Sequence, residues 1–359
     1  MSISCSIRAV RDYDHSGLPI MVSAAIAIAV GVFSMAVQAQ STGSPLSLSK
    51  TIPLPGVVGK FDHFAVDLAG HRLLVAATGN HSIEVIDLNT EKVEQSITGL
   101  GKPHGLAWVD AIASLYVADG SLGELRVYKG TPFTLAGSIK LSDDADDMVS
   151  DDAHHLLYVG HGGGSAAAPG RVAVVDTVSF TLIANLPVAA HPEALDLDAK
   201  GRRIFANIAD SNEVAVIDGA TNSVVAHWKL TGAAENVPMA YDGGQRRLYV
   251  ACRTPATLLE LDAASGTELS RAAAGEGADD LFYDASLGRV YVIGGAGEVD
   301  AFDGNGTTIK AIGVTRTVPG AKTALFVPSQ SVLYVGVPAT GSKSAEIRVY
   351  STLVQKESK

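Results

Sequence analysis

Cysteine is almost absent from this chain: 359 residues contain two, Cys5 and Cys252. Cys5 falls in an N-terminal segment read below as a leader. One thiol then remains, no internal disulfide can form, and stability has to come from packing and closure of the fold. No C-x-x-C-H run occurs, which excludes covalently attached haem. Cys252 lies inside the strand-like run RLYVAC and reads as an inert buried thiol. Charge is sparse at 18%, and positive charge is the scarcer kind, with 27 Lys and Arg against 38 Asp and Glu. At a net charge of -11 the surface repels a phosphate backbone, and a single-strand groove would also want stacking aromatics, which make up only 6%. Nucleic acid is therefore not an expected partner. Missing too are a Ser-His-Asp spacing, a phosphate-cradling glycine loop and any stretch of helical apolar periodicity.

What the chain does have is 47% hydrophobic residues and 37 glycines, enough for a large core built from short strands and tight turns. Residues 20–37, IMVSAAIAIAVGVFSMAV, form one apolar run preceded by Arg8 and Arg11 and followed by small residues. That is the layout of an export signal. Residues 1–39 are read as a signal peptide, with the mature chain starting at Gln40 outside the cytoplasm, periplasmic or extracellular, and with no membrane span left after cleavage. The alternative is an uncleaved anchor, since the run is close to the shortest spanning length. Met21 is an alternative start.

One motif recurs along the rest of the chain: LLVA at Leu73, LYVA at Leu115, LYVG at Leu157, IFAN at Ile204, LYVA at Leu248, VYVI at Val290 and LYVG at Leu333. Around each copy stand a preceding apolar strand, a polar turn, a loop, a third strand such as VAVIDG at Val214, and a fourth strand. Seven units of four short strands predict an all-β, seven-bladed β-propeller. The last unit lacks its fourth strand, and KTIPLPG at residues 50–56 supplies it, so pairing of the two chain ends closes the ring. The expected division is 1–39 signal peptide, 40–49 short linker, 50–353 propeller and 354–359 tail. A monomer is expected. Over residues 50–353 the LYV…VID units resemble the YVTN-repeat family of bacterial exported propellers. That resemblance implies a seven-bladed ring outside the cytoplasm, in a group that mixes binding, surface and enzymatic members.

The stretch SDDADDMVSDDAHHLLYVGHGGG, residues 142–164, packs six aspartates and three histidines into one place. Two carboxylates about 6 Å apart repel by roughly 3 kcal/mol at an effective dielectric of about 20, so something must offset that charge. Aligning the units on their LYV strands puts one residue per blade at the entry to the innermost strand: Asp62, His104, Asp146, Glu193, Val237, Asp279 and Lys322. Beside them come His63, Asp147, His191, Asn236, Asp280 and Thr323, and the loops on that face add His81, His161, Arg253 and Lys343. The turns of the opposite face, with Asp87, Asp176, Asp218 and Asp262, read as ordinary turn chemistry.

Three functional readings follow. The first is a binding or interaction module whose acidic, His-containing channel mouth takes a cation, a cationic small molecule or a basic peptide, with Asp147, His161, His191, Arg253, Asp280 and Lys322 as ligand-binding residues. The second is a metal-assisted hydrolase, with Asp62, Asp146, Glu193, Asn236 and Asp279 supplying oxygens to a divalent cation such as Ca²⁺ and His63 or His104 acting as base near neutral pH. In type of site this loosely resembles the calcium-binding lactonase and gluconolactonase propellers, which have six blades and so lend no residue correspondence. A polysaccharide lyase with a His or Tyr base is a third reading.

Overall fold

The recurring Leu-Tyr-Val strand is buried on both faces. Leu115, Tyr116 and Val117 have no exposed surface, and the same is true of Leu157, Tyr158 and Val159 and of Leu248, Tyr249 and Val250. A strand with no wet face must lie between two other sheets. Because successive side chains point to opposite sides, each strand serves two interfaces. In the second unit, Leu115 and Val117 pack with Leu74 and Ala76 of the unit before, whereas Tyr116 and Ala118 pack with Leu157 and Val159 of the unit after. The tyrosine hydroxyl then donates to a turn carbonyl of that next unit, Tyr116 to Thr177 at 2.7 Å and Tyr249 to Gly304 at 3.3 Å. The motif recurs because each unit solves the same two-sided packing problem.

The computed structural model describes residues 44–163 and 169–353. The expected signal peptide, the start of the expected linker, the middle of the HGGGSAAAPGR loop and the expected tail lie outside the described residues. The described chain forms seven antiparallel sheets of four strands, each ordered from the inside outward. It is a seven-bladed β-propeller. The innermost strands are Phe64–Asp67, Pro103–Val109, Met148–Asp151, Pro192–Asp198, Ala234–Asp242, Ala278–Asp284 and Ala324–Val327, in blades 1 to 7.

Closure follows the expected route and reaches further. Strand Ser47–Leu54 pairs antiparallel with Ala345–Ser351 as the outer strand of blade 7. It starts three residues before the Lys50 read from the sequence, so residues 47–49 are strand rather than linker. Ahead of it Leu46 is buried among blade 6 and blade 7 residues, and its amide donates to Thr315 Oγ1 of blade 6 at 3.3 Å. The N-terminal segment thus ties blade 7 to its neighbour as well as completing it. On the face away from the site, Asp87, Asp176, Asp218 and Asp262 each accept two backbone amides in tight turns, which is the turn chemistry expected of them. Among the described residues, no helix is long and apolar enough to cross a membrane.

Candidate functional site at the channel mouth

The ring read from the sequence is assembled. Asp62, His104, Asp146, Glu193, Val237, Asp279 and Lys322 line one cavity of about 160 Å³ at the end of the central channel, together with Lys60, His63 and Arg253. In blades 1 and 3 the site residues precede the innermost strand but stay pinned to the second one. Asp62 donates its amide to Ala76 O and Asp146 donates to Gly160 O, both at 2.9 Å. Two glycines let blade 2 approach closely: a Cβ on Gly105 would lie 2.1 Å from Asp146 O, and one on Gly120 would lie 2.9 Å from the His104 ring. That approach wedges His104, 4% exposed, against blade 3.

The mouth is not a bare acidic rim; its negative charge is met from inside. His104 Nδ1 donates to Asp62 Oδ2 at 2.7 Å. Arg253 and Lys322 both pair with Asp279, Lys322 at 2.7 Å. His191 Nε2 stands 3.3 Å from Asp146 Oδ2, while its Nδ1 donates to Gly162 O at 2.7 Å. At the centre is His63, 3.7 Å from Asp62, 3.9 Å from Asp146, 3.9 Å from Asp147 and 3.8 Å from Asp280. Burial pulls its imidazole toward neutrality, but the field of Asp147, Asp62, Asp280 and Asp146 wins and raises its pKa to about 10. For His191 burial again opposes charge, the hydrogen bond it donates to Asp146 and the charge of that carboxylate override it, and the pKa rises to about 9. Asp62 moves the other way: burial raises it, and His104, His63 and Lys60 outweigh that and hold it ionised. The aspartate run of residues 143–147 divides accordingly. Asp143 is exposed, Asp144 pairs with Lys102 at 3.3 Å, and only Asp146 and Asp147 enter the channel.

Below His63 the channel widens into a second cavity of about 370 Å³, lined by His63, Asp147, Asp196, Asp280 and mostly apolar side chains. Its carboxylates tie neighbouring blades together. Asp147 accepts the Leu195 amide, Asp196 the Tyr241 amide and Asp280 the Ala324 amide, at 2.6 to 2.7 Å. Burial in this apolar setting raises Asp280 to about 7 and Asp196 to about 6.

Several expectations need correction. Asn236 does not reach the mouth: it is fully buried, and its amide donates to Asn207 Oδ1 and Glu213 O, both at 3.0 Å, while Val237 takes the cavity position. With Asn236 inside blade 5 and Asp279 engaged by two cations, the five-oxygen calcium set is not assembled. His161 is fully buried; its Nδ1 accepts the Ser142 amide and its Nε2 donates to Asn185, so it braces blade 3 and lines neither of these two cavities. His63, held protonated, cannot serve as a base at neutral pH, and the outer nitrogen of His104 is buried without a partner. Of the loop residues, Arg253 alone lines the mouth; His81 and Lys343 do not. Asp147 and Asp280 face the channel below His63.

No protein-family model matches the chain. It is similar to the seven-bladed beta-propeller protein Rv1057 of Mycobacterium tuberculosis, at 27% identity over 152 residues, which is 42% of this chain and 37% of that protein. The match therefore spans little more than a third of the relative's length. In three dimensions the chain resembles a chain of the Kuenenia stuttgartiensis hydrazine synthase, with TM-score 0.69, 16% identity, and coverage of 79% of this chain and 96% of that one. It also resembles a chain of a mitotic checkpoint complex, with TM-score 0.70, 13% identity, and coverage of 94% and 99%. At those identities the likeness is one of fold alone.

Two residues of this centre were not picked out from the sequence. Lys60 lies two positions before Asp62, in a segment with no strand pattern. Asp196, in EALDLD, occupies a strand position sharing its face with Ala194. The alternation of acid and apolar residues there was the available signal, and it looks the same as that of any half-exposed strand.

Proposed function

We propose that the protein is a binding protein that takes a small cationic ligand at the channel mouth. The observation that carries this reading is Asp146 Oδ1, a buried carboxylate oxygen with no hydrogen-bond partner. An unsatisfied buried acceptor is costly. Beside it Glu193 lines the same cavity with its pKa raised by burial, which outweighs the pull of His191 and Arg253. Arg253 and Lys322 stand at the same cavity and would meet an anionic group on the far end of the ligand. A cavity of about 160 Å³ suits a molecule no larger than a small amino acid or diamine.

The test is a thermal-shift series with glycine, putrescine, guanidine and divalent cations. A ligand bound only by the folded state stabilises it by about 2.7 kcal/mol at one hundred times its Kd. Asp146→Asn and Glu193→Gln should each abolish the response, while Asp218→Asn on the opposite face should keep it. A protein whose melting point ignores every cation sinks the reading. Export is part of the same proposal, supported by the apolar run at residues 20–37 and the resemblance to the YVTN-repeat propellers. N-terminal sequencing of the protein made in a bacterium should find Gln40, and a retained leader would replace export by anchoring.

A further inference from the structure

Resting on that reading, we infer that the cation at the mouth is a first-row transition metal ion of the zinc type, held by His63, His104, Asp62 and Asp146. Donor atoms of Asp62, His63 and Asp146 all lie within 4.8 Å of one another. His104 Nδ1 lies beside this group, 2.7 Å from Asp62 Oδ2 and 3.4 Å from Asp146 Oδ1, and would turn in as the fourth ligand. An ion bound tetrahedrally at about 2.0 to 2.2 Å requires ligand atoms about 3.4 Å apart. The separations from Asp146 Oδ1 to His104 Nδ1 and from His63 Nε2 to the two carboxylates are 3.4, 3.9 and 3.7 Å, near that value, and His104 has to release Asp62 and swing toward His63 to close the tetrahedron.

Asp146 Oδ1 is the focal atom: it is buried, unpartnered, and faced by both imidazoles. Two imidazoles with two carboxylates select zinc, nickel or copper over calcium, which prefers six to eight oxygens. The surroundings also resemble those of a working metal centre, since His191 Nε2 stands 3.3 Å from Asp146 Oδ2 and Lys60 Nζ 3.7 Å from Asp62 Oδ2. Such outer partners orient ligand side chains. Uptake of the ion releases the proton on His63 to solvent and moves the Nδ1 proton of His104 to its unpartnered Nε2, because only a nitrogen without a proton coordinates.

The experiment uses the untagged full chain, stripped with a chelator and titrated calorimetrically with Zn²⁺, Ni²⁺ and Ca²⁺, with elemental analysis after dialysis. We expect one Zn²⁺ per chain, Ca²⁺ weaker by at least a hundredfold, and at least a tenfold loss of zinc affinity in His104→Gln and in Asp146→Asn. His227→Gln, at a partly exposed histidine paired with Glu213 on the outer part of blade 4, should bind as the wild type does. Circular dichroism of each variant separates lost ligands from lost fold, and if His104→Gln does not fold, Asp62→Asn takes its place. Zinc binding unchanged in the folded mouth variants, calcium as tight as zinc, or no metal bound at all overturns the inference. Organic amines that still raise the melting point without metal would leave the cation-binding reading standing, whereas silence toward amines and metals alike would remove both.

Discussion

A chain starting at Val57 is expected to lose about 5 to 9 kcal/mol relative to one starting at Ser44, because it gives up Leu46, Ile52 and Leu54, each at most 2% exposed, and burial of each such side chain is worth roughly 1.5 to 3 kcal/mol. That range rivals the whole stability of an ordinary domain. The loss has two parts. Removing strand Ser47–Leu54 opens blade 7 and leaves Ala345–Ser351 as an unpaired edge, which invites association between chains. Removing Leu46 also frees blade 6 from the strap that reaches Thr315. Denaturant unfolding of the two chains, with light scattering to report association, measures both. Equal midpoints would mean that the ring does not depend on its N-terminal strand.

The second large effect belongs to His63. In chelator-treated protein, His63→Leu leaves Asp62, Asp146, Asp147 and Asp280 facing one another without the imidazolium between them. Removing one partner from a buried charge group costs roughly 3 to 5 kcal/mol, and the double variant His63→Leu, Asp280→Asn should recover part of it. The same group sets a pH profile. The folded pKa of His63, about 10, lies above its ordinary 6.5, so its contribution is complete below pH 6.5 and is lost as pH rises through 10. His191, raised to about 9, acts in the same direction. Asp280 and Asp196, raised to about 7 and about 6 by burial, likewise favour their protonated forms, and their share is complete below 3.8 and is lost as pH rises through 6 to 7. Asp62, lowered below 3.8, opposes them only in acid, where its share disappears. Stability of the metal-free protein should therefore peak in mildly acid solution and fall toward pH 10, and His63→Gln should flatten the alkaline limb. An NMR titration that finds His63 changing charge near 6.5 would refute the account.

The blades were legible because their cause is local and repeated. Leu115-Tyr116-Val117 and its six counterparts state, unit after unit, that a strand is buried on both faces, and only stacked sheets satisfy that. The ring at the mouth was legible for the same reason: once the units are aligned, Asp62, Asp146, Glu193, Asp279 and Lys322 take equivalent places, and symmetry about the axis brings them together. The alignment put Val237 at the mouth and Asn236 beside it, as found; Asn236 was read as a ligand from its residue type, whereas its amide is turned into blade 5 and spent on Asn207 and Glu213. His161 was misassigned because a histidine in a glycine-rich loop looks available until its two nitrogens are seen to be used by Ser142 and Asn185.

What the sequence by itself determined, then, is the number of blades, their strand order, the closure by the two chain ends and the residue type that each blade contributes to the mouth. These follow from side-chain period and repeat spacing, which are properties of the chain alone. Only the tertiary structure decided the electrostatics. Whether six aspartates in one stretch form an acidic rim or a compensated centre depends on which cations other blades bring within about 4 Å of them. His63 of blade 1 does this for Asp146 and Asp147 and His191 of blade 4 for Asp146, while Arg253 of blade 5 and Lys322 of blade 7 answer Asp279. Charge interaction falls with distance in space and is indifferent to distance along the chain, so no pattern of neighbours could have shown that the opening between these blades carries its own counter-charge and still leaves one oxygen of Asp146 without a hydrogen bond.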